Sequence, residues 1–307
     1  GNKGTHMPRF IEANPSIYTP GASSQDADQR RPYAGCAGPD GPCNFASVGL
    51  ISNTANSTYH ALQVALSKQL TKSFSFLASY WWSKSLDYIS TLNVAGSAPT
   101  LVAGENDLAQ NPFDLEAEHG NSLFDATHRF VLSGSYVLPT WKSAPKAAAL
   151  LVNGWQMNTI TSLSSGTPFT VYDSANVSLQ GSAPEISGFY SSRPDLVSDP
   201  NNGPHTPNQW VSRSAFRQLD PVTQAGQFGN EGRNVVRGPG IANVDFSLFK
   251  NFQFTETTHL QFRAECFNIL NHANFSLPQN DLQSPAFGQI LEAGSPRLLQ
   301  LALKLVF

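Results

Sequence analysis

Alternation of large apolar side chains at the C-terminal end constrains the fold more than any other feature of the sequence. Successive side chains of an extended strand point to opposite sides, so every second residue shares a face. The residues of one face are Leu299, Leu301, Leu303, Leu305 and Phe307. The opposite face is mixed, with Lys304 and Gln300 among smaller residues. A tilted strand of about 9–11 residues crosses a bilayer, and this segment is long enough to do so.

The same period recurs upstream. Further strands are predicted over residues 58–70, 74–86, 128–138, 154–171, 243–254 and 257–270. Most of them carry aromatic and aliphatic side chains on one face, and Ser, Gln, Asn or charged side chains on the other. In 154–171 Ser and Thr occupy both faces, so that strand is assigned from its β-branched content. Lys250 falls on an apolar face, which either snorkelling towards the strand end or a β-bulge would explain.

The lengths of the connections alternate along the chain. Short turns are predicted near 71–73 and 255–256 and an intermediate connection over 139–153, whereas about 87–127, 174–240 and 271–295 are long loops. Short turns on one rim and long loops on the other are typical of outer-membrane barrels, and compact soluble domains seldom contain such loops. We therefore predict an all-β fold, an antiparallel transmembrane β-barrel with long extracellular loops and Phe307 on the periplasmic side.

Composition agrees with this fold class. Charged residues make up 13% of the chain, against roughly 25% in soluble domains. The polar strand faces nevertheless include Arg263 and Glu265, which a dry core would accept only if paired. No run reaches the roughly 18 apolar residues of a membrane-spanning helix.

A net charge of −3 without a basic block does not indicate a nucleic-acid partner. The first residues lack the features of a secretory signal, so an export signal is expected upstream.

Two of the three cysteines lie close together in the string CAGPDGPC. A disulfide between Cys36 and Cys43 would close a small ring and is feasible in an oxidising compartment. The spacing matches no common zinc pattern. Cys266 lies in a predicted strand, where it is interpreted as a small buried or lipid-facing apolar residue.

A series of short motifs resembles the barrel of Oar-like TonB-dependent receptors. The motifs are GTHMPR (4–9), STYHALQ (57–63), ASYWWSKSLD (78–87), DATHRFV (125–131), NGWQ (153–156), SGTPFT (165–170), RPDLV (193–197), FGNEGRN (228–234), DFSLFK (245–250), FRAECFNILNHANF (262–275) and LVF (305–307). Each motif is weak alone, but their order and spacing span nearly the whole chain.

The resemblance implies a plugged barrel of about 22 strands that takes up an unidentified substrate with energy relayed by TonB. Residues 1–307 would then be about 7–8 meandering strands from the C-terminal part of it, with 1–57 a strand stub and outer loop and 58–307 the strands and loops. The plug, the N-terminal regulatory domain and the segment that contacts TonB are expected outside this chain. Outer-membrane lipid, the missing plug, the remaining strands and the barrel-assembly machinery are the implied partners. By resemblance, the terminal strand ending at Phe307 is what that machinery recognises.

The sequence offers little evidence for a metal site, a nucleotide site or a catalytic nucleophile. The residues Asp114, Glu116, Glu118, His119, Asp125 and His128 match no common zinc spacing, and we interpret them as an outer loop returning to a strand near His128. The segment GQFGNEGRNVVRGPG lacks the Lys-Ser/Thr of a phosphate loop, so Arg233 and Arg237 are predicted to make lumen or loop contacts. No nucleophile elbow occurs. We expect no cofactor, no metal and no enzymatic activity.

The loop over 174–240 is rich in Asn, Ser, Pro and Gln and contains Phe189, Tyr190 and Trp210. Such a loop can bind a sugar or small ligand by stacking and hydrogen bonding, or it can be surface cover. Two other functions stay open at this point. One is a soluble extracellular β-rich carbohydrate-binding module, which would fold without detergent and pack a second sheet on its polar face. The other is a secreted hydrolase.

Overall fold

The computed structural model describes residues 1–38, 41–43, 45–71, 73–90, 109–180, 192–255 and 257–307. Its strands are β1 (Asn2–Glu12), β2 (Cys36–Gly38), β3 (Gly41–Cys43), β4 (Gly49–Thr71), β5 (Phe74–Asp87), β6 (Gly120–Asn121), β7 (His128–Val137), β8 (Trp155–Ser164), β9 (Pro168–Phe169), β10 (Asp195–Leu196), β11 (Phe216–Arg217), β12 (Val236–Arg237), β13 (Ile241–Gln253), β14 (His259–Phe267) and β15 (Leu298–Val306). The helical segments are α1 (Lys146–Val152) and the 3-10 turns Ala27–Arg30, Leu115–Glu118 and Arg213–Ala215.

One large antiparallel sheet dominates the chain. Its order is β1-β4-β5-β7-β8-β13-β14-β15, with β6 added beside β5. Each long strand pairs with the next long strand along the sequence, so the sheet is a meander, as the alternation predicted. β1 and β15 lie at its two edges.

The register gives the sheet one apolar face and one polar face. A single cross-strand row on the apolar face runs through Phe74, Tyr136, Met157, Leu248, Ala264 and Leu301. The neighbouring row on the polar face runs through Ser75, Ser135, Asn158, Ser247, Glu265 and Gln300. The predicted division of the faces is therefore confirmed. The apolar face is open to the surroundings, since Leu301 is 72% exposed.

Several predicted strand ends were wrong. The outer loop predicted within residues 1–57 is shorter than expected, because β1 extends to Glu12 and β4 begins at Gly49. The alternation did not predict this extension, because residues 52–57 are polar on both faces. The strand predicted over 154–171 ends at Ser164, after which Pro168–Phe169 leaves the sheet to pair with β12.

The strand predicted over 257–270 begins at His259 and ends at Phe267. Asn268 follows with a φ of 50°, a left-handed conformation that cannot continue a strand. The side chain of Asn268 then stabilises the turn, because its Nδ2 donates to the carbonyl of His272 at 2.9 Å.

The intermediate connection between β7 and β8 contains α1. Asn153 closes it by accepting a hydrogen bond from the backbone N of Trp141 at 2.7 Å. Gly154 has a φ of +78°, and a Cβ built on it would lie 2.7 Å from the carbonyl oxygen of Asn251. Only glycine satisfies both conditions without strain. Within the described residues, no helix has the length and apolar character needed to cross a membrane.

Candidate functional site: the loop layer at the end of the polar face

The long connections fold into a layer with its own hydrophobic core. This core contains Phe169, Val171, Val211, Ala215, Phe216, Val236, Leu282 and Phe287. All of these residues follow β8 or β14 in the long loops. The small sheets β9–β12 and β10–β11 hold the same segments together. Hydrophobic burial therefore orders the loops, whereas the large sheet keeps its apolar face outside.

Arg233 ties the loop layer to the large sheet. Its guanidinium pairs with the carboxylate of Asp87, the last residue of β5. The same group donates to the Asp87 carbonyl at 2.7 Å and to the Glu118 carbonyl at 3.0 Å. Asp87 lies on the same, polar face of β5 as Ser75, Ser79 and Ser83. The loops are thus fastened to the polar side of the sheet.

Two further ion pairs, the first buried and the second partly buried, extend this attachment. Arg193 pairs with Glu118, and Arg237 pairs with Asp125. Asp125 also accepts the backbone N–H of Ser85 in β5 at 2.7 Å. Each pair joins a residue from 193–237 to the connection between β5 and β7. Because removal of one partner leaves an uncompensated buried charge, the pairs fix one arrangement of the loops.

Neutral groups complete the network. Gln110 accepts the backbone N–H of Arg193 at 2.6 Å and donates to the Gly229 carbonyl at 2.9 Å. Asn121 and Asn234 each donate a side-chain amide to the other's carbonyl, at 2.7 and 2.9 Å. Such bonds satisfy backbone groups that burial removes from water.

Glu231 is a buried acid within the loop layer. One carboxyl oxygen accepts the backbone N–H of Val171 at 3.1 Å, and the other has no hydrogen-bond partner among the described residues. Desolvation raises the pKa of Glu231 to about 8, because it outweighs the Val171 hydrogen bond and the positive charge of Arg193. At neutral pH Glu231 is mainly a neutral carboxylic acid.

The acidic and histidine residues named in the sequence analysis are distributed among different partners. Asp114 caps the turn Leu115–Glu118, and Glu116 accepts the hydroxyl of Tyr88 at 2.6 Å. His128 begins β7 and bonds the Tyr80 hydroxyl at 2.8 Å. Within the described part of the chain, no three such groups converge as metal ligands would.

The predicted lumen or loop contacts of Arg233 and Arg237 are confirmed, since Arg233 pairs with Asp87 at the end of β5 and Arg237 pairs with Asp125 in the connection between β5 and β7. Trp210 is a structural residue, because its indole donates to the Arg237 carbonyl at 2.8 Å and its ring packs on the loop core. Phe189 and Tyr190 lie outside the described residues. The acidic partners of Arg193, Arg233 and Arg237 were not predicted, since each ion pair joins residues far apart in sequence.

A protein-family model described as "Outer membrane beta barrel domain" matches residues 1–300. The chain belongs to this outer-membrane barrel family. No curated protein matches the chain. Its membership of this family and its outward apolar face together place the barrel in the lipid of the bacterial outer membrane. The family match and the exposed apolar face favour this membrane barrel over a soluble carbohydrate-binding module.

Across β8, β13 and β14, the described apolar face carries one charged side chain, Lys250. It is only 2% exposed, because Trp155 and Phe252 cover it, with Nζ 5.6 and 4.9 Å from their ring centroids. Nζ donates to the Asn153 carbonyl at the short-turn end. The register of β13 runs without a shift through this position. The alternative of a β-bulge was therefore wrong. The Lys250 side chain reaches towards the short-turn end, as the snorkelling explanation predicted, but its ammonium group is covered by aromatic rings and bonded to a carbonyl instead of reaching solvent.

Cys266 lies on the same apolar face of the barrel, opposite Leu299, and is a free thiol. This agrees with its interpretation as a small apolar residue. The backbone of the β2–β3 hairpin pairs Cys36 with Cys43, but their side chains lie outside the described set, so the disulfide stays a prediction. Phe307 follows the last residue of β15 and is 92% exposed. The role of this strand in assembly also stays a prediction.

Proposed function

We propose that this barrel is part of an Oar-like TonB-dependent receptor that takes up an as yet unidentified substrate across the outer membrane. The observation that carries the proposal is the attachment of the loop layer to the polar face through Arg233 and Asp87. Loops ordered by their own core and by buried ion pairs suit a receptor that captures a ligand outside the cell. The ordered motifs that resemble this receptor class add to the argument.

The polar face supports the same proposal. Arg263 donates to Gln261 at 2.6 Å, and Gln261 donates to Asn251 at 2.9 Å. The Arg263 guanidinium also lies 4.9 Å from the ring centroid of Phe249. These side chains face the barrel interior, where they form a hydrogen-bonding surface on which a polar plug domain could pack.

The proposed partners are the plug, the remaining barrel strands, the barrel-assembly machinery and TonB. The proposal treats the chain as transport machinery and not as an enzyme. Outer-membrane lipid is the environment of its apolar face.

Energy coupling can be tested on the protein with its native upstream sequence, purified in detergent. We expect saturable binding to the periplasmic C-terminal domain of TonB from the same organism, measured by calorimetry. An unrelated outer-membrane barrel from that organism serves as the control. Equal binding, or none, for the two proteins would contradict TonB dependence while leaving the barrel assignment intact.

A further inference from the structure

The loop between β1 and β4 contains a pocket that the proposed function does not use. It has a volume of about 450 Å³ and is lined by Asp28, Gln29, Ala34, Gly35, Phe45 and Ala46. Ligand pockets are typically about 300–1,000 Å³ and combine an apolar surface with a few fixed polar groups. Phe45 is 51% exposed and Tyr33, next to Ala34, is 52% exposed, so aromatic surface is offered to solvent here.

The buried side chain of Asn14 bonds the backbone of both aromatic residues, Phe45 and Tyr33. Its side-chain amide donates to the carbonyls of Phe45 and Ala46 at 3.1 and 2.8 Å. Its side-chain oxygen accepts the backbone N–H of Tyr33 at 2.9 Å. One fully buried residue therefore fixes both sides of the pocket. A site that is rigid before binding loses less entropy when the ligand arrives.

Arg31 supports the polar side of the pocket. It is buried, pairs with Glu12, donates to the Asn14 carbonyl at 2.6 Å and orients the Asp28 carboxylate at 2.8 Å. The Asp28 side chain is 68% exposed. Its second oxygen and the Gln29 side-chain amide have no hydrogen-bond partner among the described residues. Arg31 holds the Asp28 carboxylate in place, and the second Asp28 oxygen and the exposed Gln29 amide are available to a ligand.

The loop that carries the pocket is docked on the rest of the layer. Arg30 donates to the Leu179 carbonyl at 2.7 Å and pairs with Asp26 at 2.7 Å. Tyr18 packs against Gly226, where any Cβ would clash with its ring. The pocket is thus part of the ordered outer surface.

We propose that this pocket binds a neutral oligosaccharide. A pyranose ring has an apolar C–H face, which stacks on an exposed aromatic ring such as Phe45, and a rim of hydroxyls that donate to a carboxylate and pair with an amide. Asp28 would repel an acidic sugar, and Arg31 is already bonded to Glu12 and Asp28. The binding site rests on the described loop alone, whereas its use in uptake rests on the proposed function.

The test uses the protein with its native upstream sequence, purified in detergent, and a panel of fluorescent hexasaccharides. The panel contains maltohexaose, cellohexaose, xylohexaose, mannohexaose and chitohexaose, with hexagalacturonate and a proline-rich peptide as competitors of other classes. We expect saturable binding of at least one neutral member. Phe45→Ala and Asp28→Asn should each weaken it at least tenfold, and Phe45→Tyr should retain it.

Phe113→Ala is the matched control, because Phe113 is also strongly exposed in an outer loop but does not line the pocket. Heat-modifiable migration verifies that each variant folds. The proposal is overturned if no neutral member binds, if Phe45→Ala and Phe113→Ala bind equally well, or if only the acidic sugar or the peptide binds. TonB binding by the same preparation reports on the proposed function separately.

Discussion

The guanidinium of Arg233 binds both the side chain and the main-chain carbonyl of Asp87, the latter at 2.7 Å. This pair connects a loop residue to the last residue of β5 across 146 positions of sequence. The outer loops are therefore bound to the polar rim of the sheet at a defined point.

Arg233→Ala should loosen the loop layer. The substitution leaves the Asp87 carboxylate buried without its partner, which costs about 3–5 kcal/mol. Limited proteolysis of the folded, detergent-solubilised protein should then cleave the loops much faster than in the unmodified protein. Arg217→Ala is the control, since Arg217 pairs with Asp195 but its side chain is 64% exposed, and such pairs contribute about 0–1 kcal/mol. Similar cleavage of both variants would argue against the attachment.

Glu231 should make the loop layer less stable as pH rises. Its folded-state pKa is raised from 4.5 to about 8, so the folded state binds the proton more tightly than the unfolded state. The stabilisation is complete below pH 4.5 and is lost as pH rises through about 8. Protease resistance of the loops, measured from pH 5 to 9 on the folded barrel, should therefore decline. Glu231→Gln should flatten that profile, and an unchanged profile would refute this role.

Gly154→Ala should destabilise the barrel at the short-turn end. The residue has a positive φ, and its added Cβ would meet the Asn251 carbonyl at 2.7 Å, a strain of about 1–3 kcal/mol. Gly134→Ala is the matched control, because its Cβ would meet only Thr159 Cγ2, at 3.4 Å. Urea titration of the folded protein in lipid should show a lower midpoint for the first variant only. Equal midpoints would contradict the constraint.

Phe307→Ala should impair insertion of the complete protein into the outer membrane. Phe307 packs little against the described sheet, being 92% exposed, so a defect would indicate recognition during assembly. Val222→Ser provides a polar change at a loop residue that is also strongly exposed. The fraction of folded protein in isolated outer membranes should fall for Phe307→Ala alone. Equal insertion of the two variants would remove the assembly role.

The strands could be predicted from sequence because membrane crossing leaves a local period. Leu299, Leu301 and Leu303 alternate with smaller or polar residues, and the register places them on one face. Strand ends were less predictable where that period fades, as at Gly49 and Ser164. Beyond the membrane, the strands no longer need an apolar face, and hydrogen bonding alone extends them.

The loop layer could not be predicted in the same way. Glu118 and Arg193 are 75 residues apart, and nothing local to either residue indicates the other. Asn14 gives no sign in sequence that it positions Tyr33 and Phe45. These contacts depend on the tertiary arrangement of several long loops. Their residue types predicted polar loops but not a folded layer.

The direction in which side chains of β15 point tests the central claim most directly. Leu301 faces lipid and its neighbour Gln300 faces the interior, near the middle of the strand. An arginine facing lipid costs about 2–4 kcal/mol at the bilayer midplane, whereas interior positions tolerate charge. Folding of the full-length protein into lipid vesicles, measured by heat-modifiable migration, should be strongly impaired by Leu301→Arg and little changed by Gln300→Arg. Equal folding of the two variants, or greater impairment by Gln300→Arg, would contradict the transmembrane barrel.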